Sequence, residues 1–263
     1  MEPLLGLLLA LVTDEQLAAF SFAVIRIGSF LLTAPLLSMS VVSPLTRGVA
    51  SLAFALVVHP TLSVPAELGM VNGVASLMVV AAVHEVITGL LMGFVFYVTM
   101  EILRIAGLMM SYATQLGMSQ MVDPATQSQS AVLDNFLYYV GRLYFLAAFG
   151  VSFMLGAVFK SFETIPIGHA IFADLSPLTV ALWTNSMWAH AMMMAIPSFG
   201  VALTLQGAMA VITRSAPTLN IFSIGFPIVI AVGIYMFGQF APVILRNFEA
   251  AVPSMLGILA GVL

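Results

Sequence analysis

The sequence predicts an all-α protein of long helices with transmembrane-like hydrophobicity, on three observations. Of the 263 residues, 62% are apolar and only 7% are Asp, Glu, Lys or Arg, against roughly 45–50% and about 25% in soluble domains. Mean hydropathy is +1.14. The apolar runs, separated by Pro, Gly and polar clusters, leave room for about six spanning helices of about 20 residues each. So few charges cannot cover a soluble monomer. Disorder is excluded too, because it needs low hydrophobicity and high net charge. A net charge of −4 argues against nucleic acid, which wants a basic stripe. With no cysteine, disulfide scaffolds, thiol catalysis and Cys-ligated metals drop out. Met1-Glu2-Pro3 lacks a basic n-region and the run Pro3 to Val12 is too short to span, so no cleaved leader is expected.

The elements follow from charges and breakers. Asp14 and Glu15 after Thr13 suit a helix start, and this helix is expected to reach about Leu37. Pro44 opens a second run through Val58, stopped by His59-Pro60. A third begins near Met70 and reaches about Met110, twice what one crossing needs. It either breaks between Glu85 and Gly89 or is one long helix. From Ser111 to Ser130 apolar periodicity is lost and Asp123-Pro124 marks a turn, so a loop is expected. A fourth run spans about Ala131 to Phe159. A fifth spans Leu178 to Thr213, with a kink expected at Pro197. Arg214-Ser215-Ala216-Pro217 is a turn, and a last helix follows to about Arg246, leaving a short apolar tail after Pro253.

Several charges sit inside apolar runs, notably Arg26, Glu85, Glu101, Arg104, Asp134 and Arg142. Each costs roughly 2.5–3.5 kcal/mol on insertion scales, so each is expected to pair within an assembly or face water. Glu101 and Arg104, three apart, share a helix face. Lys160 and Arg246 suit helix-end snorkelling. No loop carries an excess of Lys and Arg, so orientation is not readable by that rule.

Catalytic motifs fail one by one. His84-Glu85 lacks the second His a zinc protease needs, since that position is Thr88. The other histidines are isolated, and neither a G-x-S-x-G elbow nor a P-loop is present. No enzyme activity, cofactor or metal is expected. Methionine is more suggestive. Met109, Met110, Met118 and Met121 flank the polar loop, and Met re-packs against changing shapes, as the seal of a peptide-conducting channel must. Met is equally a filler of gaps between helices, the reading preferred for Met192 to Met194.

The stretch Arg214-Ser-Ala-Pro217-Thr-Leu-Asn220-Ile-Phe222-Ser-Ile-Gly225-Phe-Pro227 resembles the FliR family of flagellar export-gate subunits. Matching pieces run in order along residues 15–246: Arg26 with Thr33-Ala34-Pro35, Pro44 with Arg47, and Glu85 with Gly89 and Met92-Gly93-Phe94. Gly107 with Gln115-Leu116-Gly117, then Val122-Asp123-Pro124 and Ile165-Pro166-Ile167-Gly168, complete the series. The ending Ile224-Gly225-Phe226-Pro227 looks flagellar rather than like the virulence-secretion counterpart.

The resemblance implies a FliP-like part, residues 14–160, fused to a FliQ-like helical hairpin, residues 178–246. The hairpin turn would hold Arg214, Pro217, Asn220, Phe222, Gly225 and Pro227. It implies one copy in a gate with about five copies of FliP and about four of FliQ, engaged by FlhB, in the bacterial inner membrane at the flagellar basal body. Unfolded flagellar subunits would pass through its pore. A plug loop over about 107–124 would close that pore, using Gly107, Met109, Met110, Gln115, Gly117, Met118, Met121, Asp123 and Pro124. Arg26, Arg47, Glu85, Glu101, Arg104, Asp134 and Arg142 would then make polar contacts with sister subunits. The rival readings are the same role in a virulence injectisome, and a proton-coupled small-molecule transporter using broken helices and acids such as Glu85 or Glu101. An intramembrane hydrolase lacks a nucleophile or metal set.

Overall fold

The computed structural model describes residues 14–36, 42–65, 68, 75–115, 132–170, 176–215 and 225–260. Among these, every regular element is helical: α1 (Asp14–Thr33), α2 (Pro44–Val58), a 3₁₀ turn (His59–Thr61), α3 (Ala75–Ala113), α4 (Val132–Ala148), α5 (Gly150–Thr164), α6 (Pro177–Ser215) and α7 (Phe226–Ala260).

Local chemistry sets most of the ends. The helix α1 stops short of the expected Leu37 because Pro35 disfavours helical backbone at Ala34. Ser43 caps α2, its Oγ accepting the Thr46 N–H at 3.1 Å, with Pro44 in the first turn where a missing N–H costs nothing. The helix α3 is one piece of 39 residues, about 58 Å at 1.5 Å per residue, so the alternative break between Glu85 and Gly89 does not occur. It runs past Ser111, where a loop was expected, and closes on Gln115, a non-glycine residue at φ 60°.

Two expectations need correction. The run from Ala131 to Phe159 is not one helix: α4 and α5 meet at Phe149-Gly150, where Gly150 takes φ 72°, a left-handed angle open to glycine. Nor does the last helix end at Arg246. It continues through Pro242 and Pro253 to Ala260. Pro197 also lies within a helix, α6. A helix that cannot give its backbone to water has strong reason to keep its remaining hydrogen bonds.

The chain forms two compact units. The first comprises residues 1–97, 149–181 and 256–263. Its core holds α1 against α3 so closely that a Cβ on Gly89 would strike Ser29 Oγ and the Arg26 carbonyl, and one on Gly93 would strike Thr33. Phe96 meets Phe30 and Phe153 edge-on, at 6.0 and 6.4 Å. The second unit comprises residues 98–148 and 182–255. Trp183, Phe145 and Phe248 are fully buried there, while Gly141 and Gly233 let Leu103 and Thr114 approach. Large apolar side chains stand exposed on α2, α6 and elsewhere, Leu45 and Leu203 among them.

Candidate functional site

Among the described residues the buried charges gather into two groups, one in each unit. In the first, Arg26 from the middle of α1 is 0% exposed. Its Nε donates to Glu85 Oε2 at 2.5 Å and its Nη2 to Glu85 Oε1 at 2.9 Å. Nη1 donates to the carbonyls of Ser161 and Ile165 at 3.2 and 3.0 Å, and Cζ lies 4.2 Å from the Phe162 ring centroid. Glu85 is itself shared, its Oε1 accepting the Gly168 N–H at 3.0 Å. Gly168 sits at φ 84°, an angle a side chain would strain, and its carbonyl lies 3.0 Å from His84 Nδ1. One ion pair thus ties α1 to α3 and fixes Ile165–Gly168 behind α5.

That geometry corrects the expectation of inter-subunit contacts at two positions. Neither Arg26 nor Glu85 reaches the surface, so they satisfy each other rather than a sister subunit. Taking two charges out of the solvent costs several kcal/mol each unless the remaining donors and acceptors are bonded, and the Ser161, Ile165 and Gly168 backbone completes that bonding. Sequence reasoning missed Ser161 and His84 as partners.

The second group joins α3 to α4. Arg104 Nε donates to Asp134 Oδ1 at 3.1 Å, and Nη1 to Glu101 Oε2 at 3.3 Å, the i,i+3 pairing expected from the sequence. Both acids are buried, but the Arg104 side chain is 43% exposed. Arg142 lies over the Tyr138 ring at 3.8 Å and donates to its hydroxyl. Arg142 Nε is buried with no hydrogen-bond partner. Arg47, in the other unit, is half-buried and donates to the Val42 carbonyl at 2.9 Å.

The Arg104–Asp134 pair is accompanied by a close backbone approach of α3 to α4. A Cβ on Gly107 would come within 2.6 Å of the Leu133 carbonyl oxygen and 3.0 Å of Asp134 Cα. Of the plug candidates, Met110 is buried, Met109 is half-buried, and Gln115 N–H donates to the Tyr112 carbonyl at 3.3 Å. Gly117, Met118, Met121, Asp123 and Pro124 lie outside the described residues, as do Pro217, Asn220 and Phe222 of the hairpin turn. Arg214 is exposed at the end of α6, Gly225 is buried, and Pro227 is exposed in the first turn of α7. Among the described residues no three His, Asp or Glu side chains are grouped to hold a metal.

Among the described residues, four helices are long and apolar enough to cross a membrane, five if α4 and α5 count together as one broken span. With strongly polar groups paired inside and apolar side chains outside, this is a multi-pass α-helical membrane protein. The family model for bacterial export proteins, family 1, matches residues 17–255. The chain belongs to that family. The flagellar biosynthetic protein FliR of Bacillus subtilis is 26% identical over 249 residues, covering 92% of this chain and 95% of its own. FliR of Escherichia coli is 27% identical over 179 residues, 68% of this chain and 69% of that one. The Yop proteins translocation protein T of Yersinia pestis is 26% identical over 147 residues, 55% of this chain and 56% of its own.

Proposed function

We propose that the chain is a subunit of the flagellar type III protein export apparatus, in the bacterial inner membrane. It would form a central export gate with FliP and FliQ, in about five and about four copies, and be engaged by FlhB. The observation that carries this reading is the likeness to a flagellar biosynthetic protein along 92% of the chain. The match to the virulence-associated translocation protein covers 55%, so the flagellar assignment is preferred.

In this reading, residues 14–160 are the FliP-like part and residues 178–246 the FliQ-like hairpin. The segment from Gly107 to Pro124 plugs the pore, with methionines sealing it and Gln115 bonding to neighbouring backbone. The geometry that supports a plug lies at its base. The Arg104–Asp134 ion pair and the Gly107–Leu133 approach hold α3 to α4, so the part of the plug beyond the end of α3 moves without unpacking the two helices. Arg104, with its side chain 43% exposed, keeps donors available to neighbouring chains. The protein supplies a passage rather than chemistry, and unfolded flagellar subunits are its cargo.

Native mass measurement of the assembly purified through this chain tests the proposal. One copy together with several copies of two small membrane partners is expected. A stable lone chain or symmetric dimer that carries solute across vesicles would overturn it.

A further inference from the structure

The last turn of α3 is gripped from two sides inside the second unit. Met110, Ala113 and Thr114 are all buried there. From α6, Gln206 Nε2 donates to the Ala113 carbonyl at 3.4 Å, one of the carbonyls that the end of a helix leaves without an intrahelical partner. From α7, Gly233 makes room for the Thr114 side chain. A Cβ at position 233 would stand 2.7 Å from Thr114 Cβ and 2.8 Å from its Cγ2.

The seat has no slack. Thr114 Oγ1 donates back to the Met110 carbonyl at 2.8 Å, so its rotamer is in use. The space beside it, walled by Ser198 and Ala202 of α6 and Val229 of α7, has a volume of about 10 Å³, room for one water at most. Turning the Thr114 side chain moves Cγ2 but leaves Cβ where the backbone puts it. A methyl at position 233 therefore has to displace backbone, either α7 or the end of α3.

We propose that Gly233 and Gln206 are positioning residues for the pore seal. They hold Ala113 and Thr114, the described end of the plug segment, from the α6 and α7 side. The proposal rests on the plug reading above and adds what keeps the plug's base in place. The Gly107–Leu133 approach secures α3 to α4 two turns earlier, whereas the grip on Ala113 and Thr114 fixes the turn at which the chain leaves α3. Because Thr114 lies between α6 and α7, a partner that parts those two helices frees that turn.

The test uses the purified complex containing the full-length chain, reconstituted in vesicles. Potassium leak is measured beside partner copy number by native mass spectrometry. Gly233→Ala should raise leak about tenfold at unchanged copy number, the scale of one methyl forced into a filled site. Gln206→Glu keeps the shape but has no N–H to give, and should raise leak about threefold, the scale of one hydrogen bond. Gly233→Ala combined with Thr114→Gly, which returns the missing space, should seal again. Gly238→Ala, on the same helix with nothing within 4 Å of the added carbon, should stay tight. Deletion of residues 116–121 is the open reference. When the deletion leaks, an assembled variant that stays tight removes its residue from the seat, and tightness in both overturns the inference while the plug reading stands. A tight deletion removes both. If Gly233→Ala fails to assemble, Gln206→Glu decides alone: a leak supports the seat and tightness overturns it. A double variant as leaky as Gly233→Ala would also overturn it.

Discussion

The Arg26 guanidinium and the Glu85 carboxylate meet side by side, Nε to Oε2 at 2.5 Å and Nη2 to Oε1 at 2.9 Å, with neither side chain exposed. Two charges placed in this way stabilise the fold only while both are present. Removing one leaves the other buried and unpaired, at a cost of about 3–5 kcal/mol.

Arg26→Ala or Glu85→Ala alone should therefore sharply lower the amount of folded chain recovered from membranes. The double variant Arg26→Met with Glu85→Leu should recover most of it, since apolar replacement of a buried pair is often neutral. Thermal midpoints of the purified proteins check this. A single variant as stable as wild type would show that the pair is idle.

Gly89 gives a second test of the same packing. A methyl there meets the Arg26 carbonyl and Ser29, and backbone yields little, so Gly89→Ala should cost on the order of 1–3 kcal/mol. Gly48→Ala, on the open face of α2 with nothing within 4 Å of the added carbon, should be neutral or slightly stabilising, because alanine favours helix by about 1 kcal/mol. Equal effects at the two sites would contradict the close approach of α1 to α3.

Deleting residues 116–121, beyond the last described turn of α3, should leave the complex assembled but leaky to ions and small solutes. Tyr112 and Ala113 are best retained because they belong to α3. Conductance of reconstituted complex, or dye entry into cells, measures the effect. Normal impermeability would remove the plug assignment.

At the hairpin turn, replacing Arg214 or Asn220 should impair assembly or partner contact and leave pore sealing intact. Arg214 is exposed at the end of α6, where a cation also complements the helix dipole, an effect of only about 0.3–1 kcal/mol. A loss of co-purified partners far beyond that scale is expected. Unchanged recovery and unchanged export would refute the role.

Much of the fold was legible because it is set locally. The 7% charge content, the long apolar runs and stops such as His59-Pro60 determine an all-α membrane chain by themselves, since each acts through burial or backbone geometry within a few residues. The motif from Arg214 to Pro227 was enough to indicate the family. What the sequence left open was long-range. Arg26 finds Glu85 at 59 residues' separation and Ile165 at 139, and no periodicity reports a contact of that kind, so these charges read as awaiting other subunits. Only the tertiary structure decided that they close on each other while Arg104 keeps one face open. It also decided that the run after Ala131 breaks at Gly150 and that α7 passes through Pro253. The physical reason is common to these cases: in an apolar setting a charge or a backbone group must find a partner, and packing chooses which one.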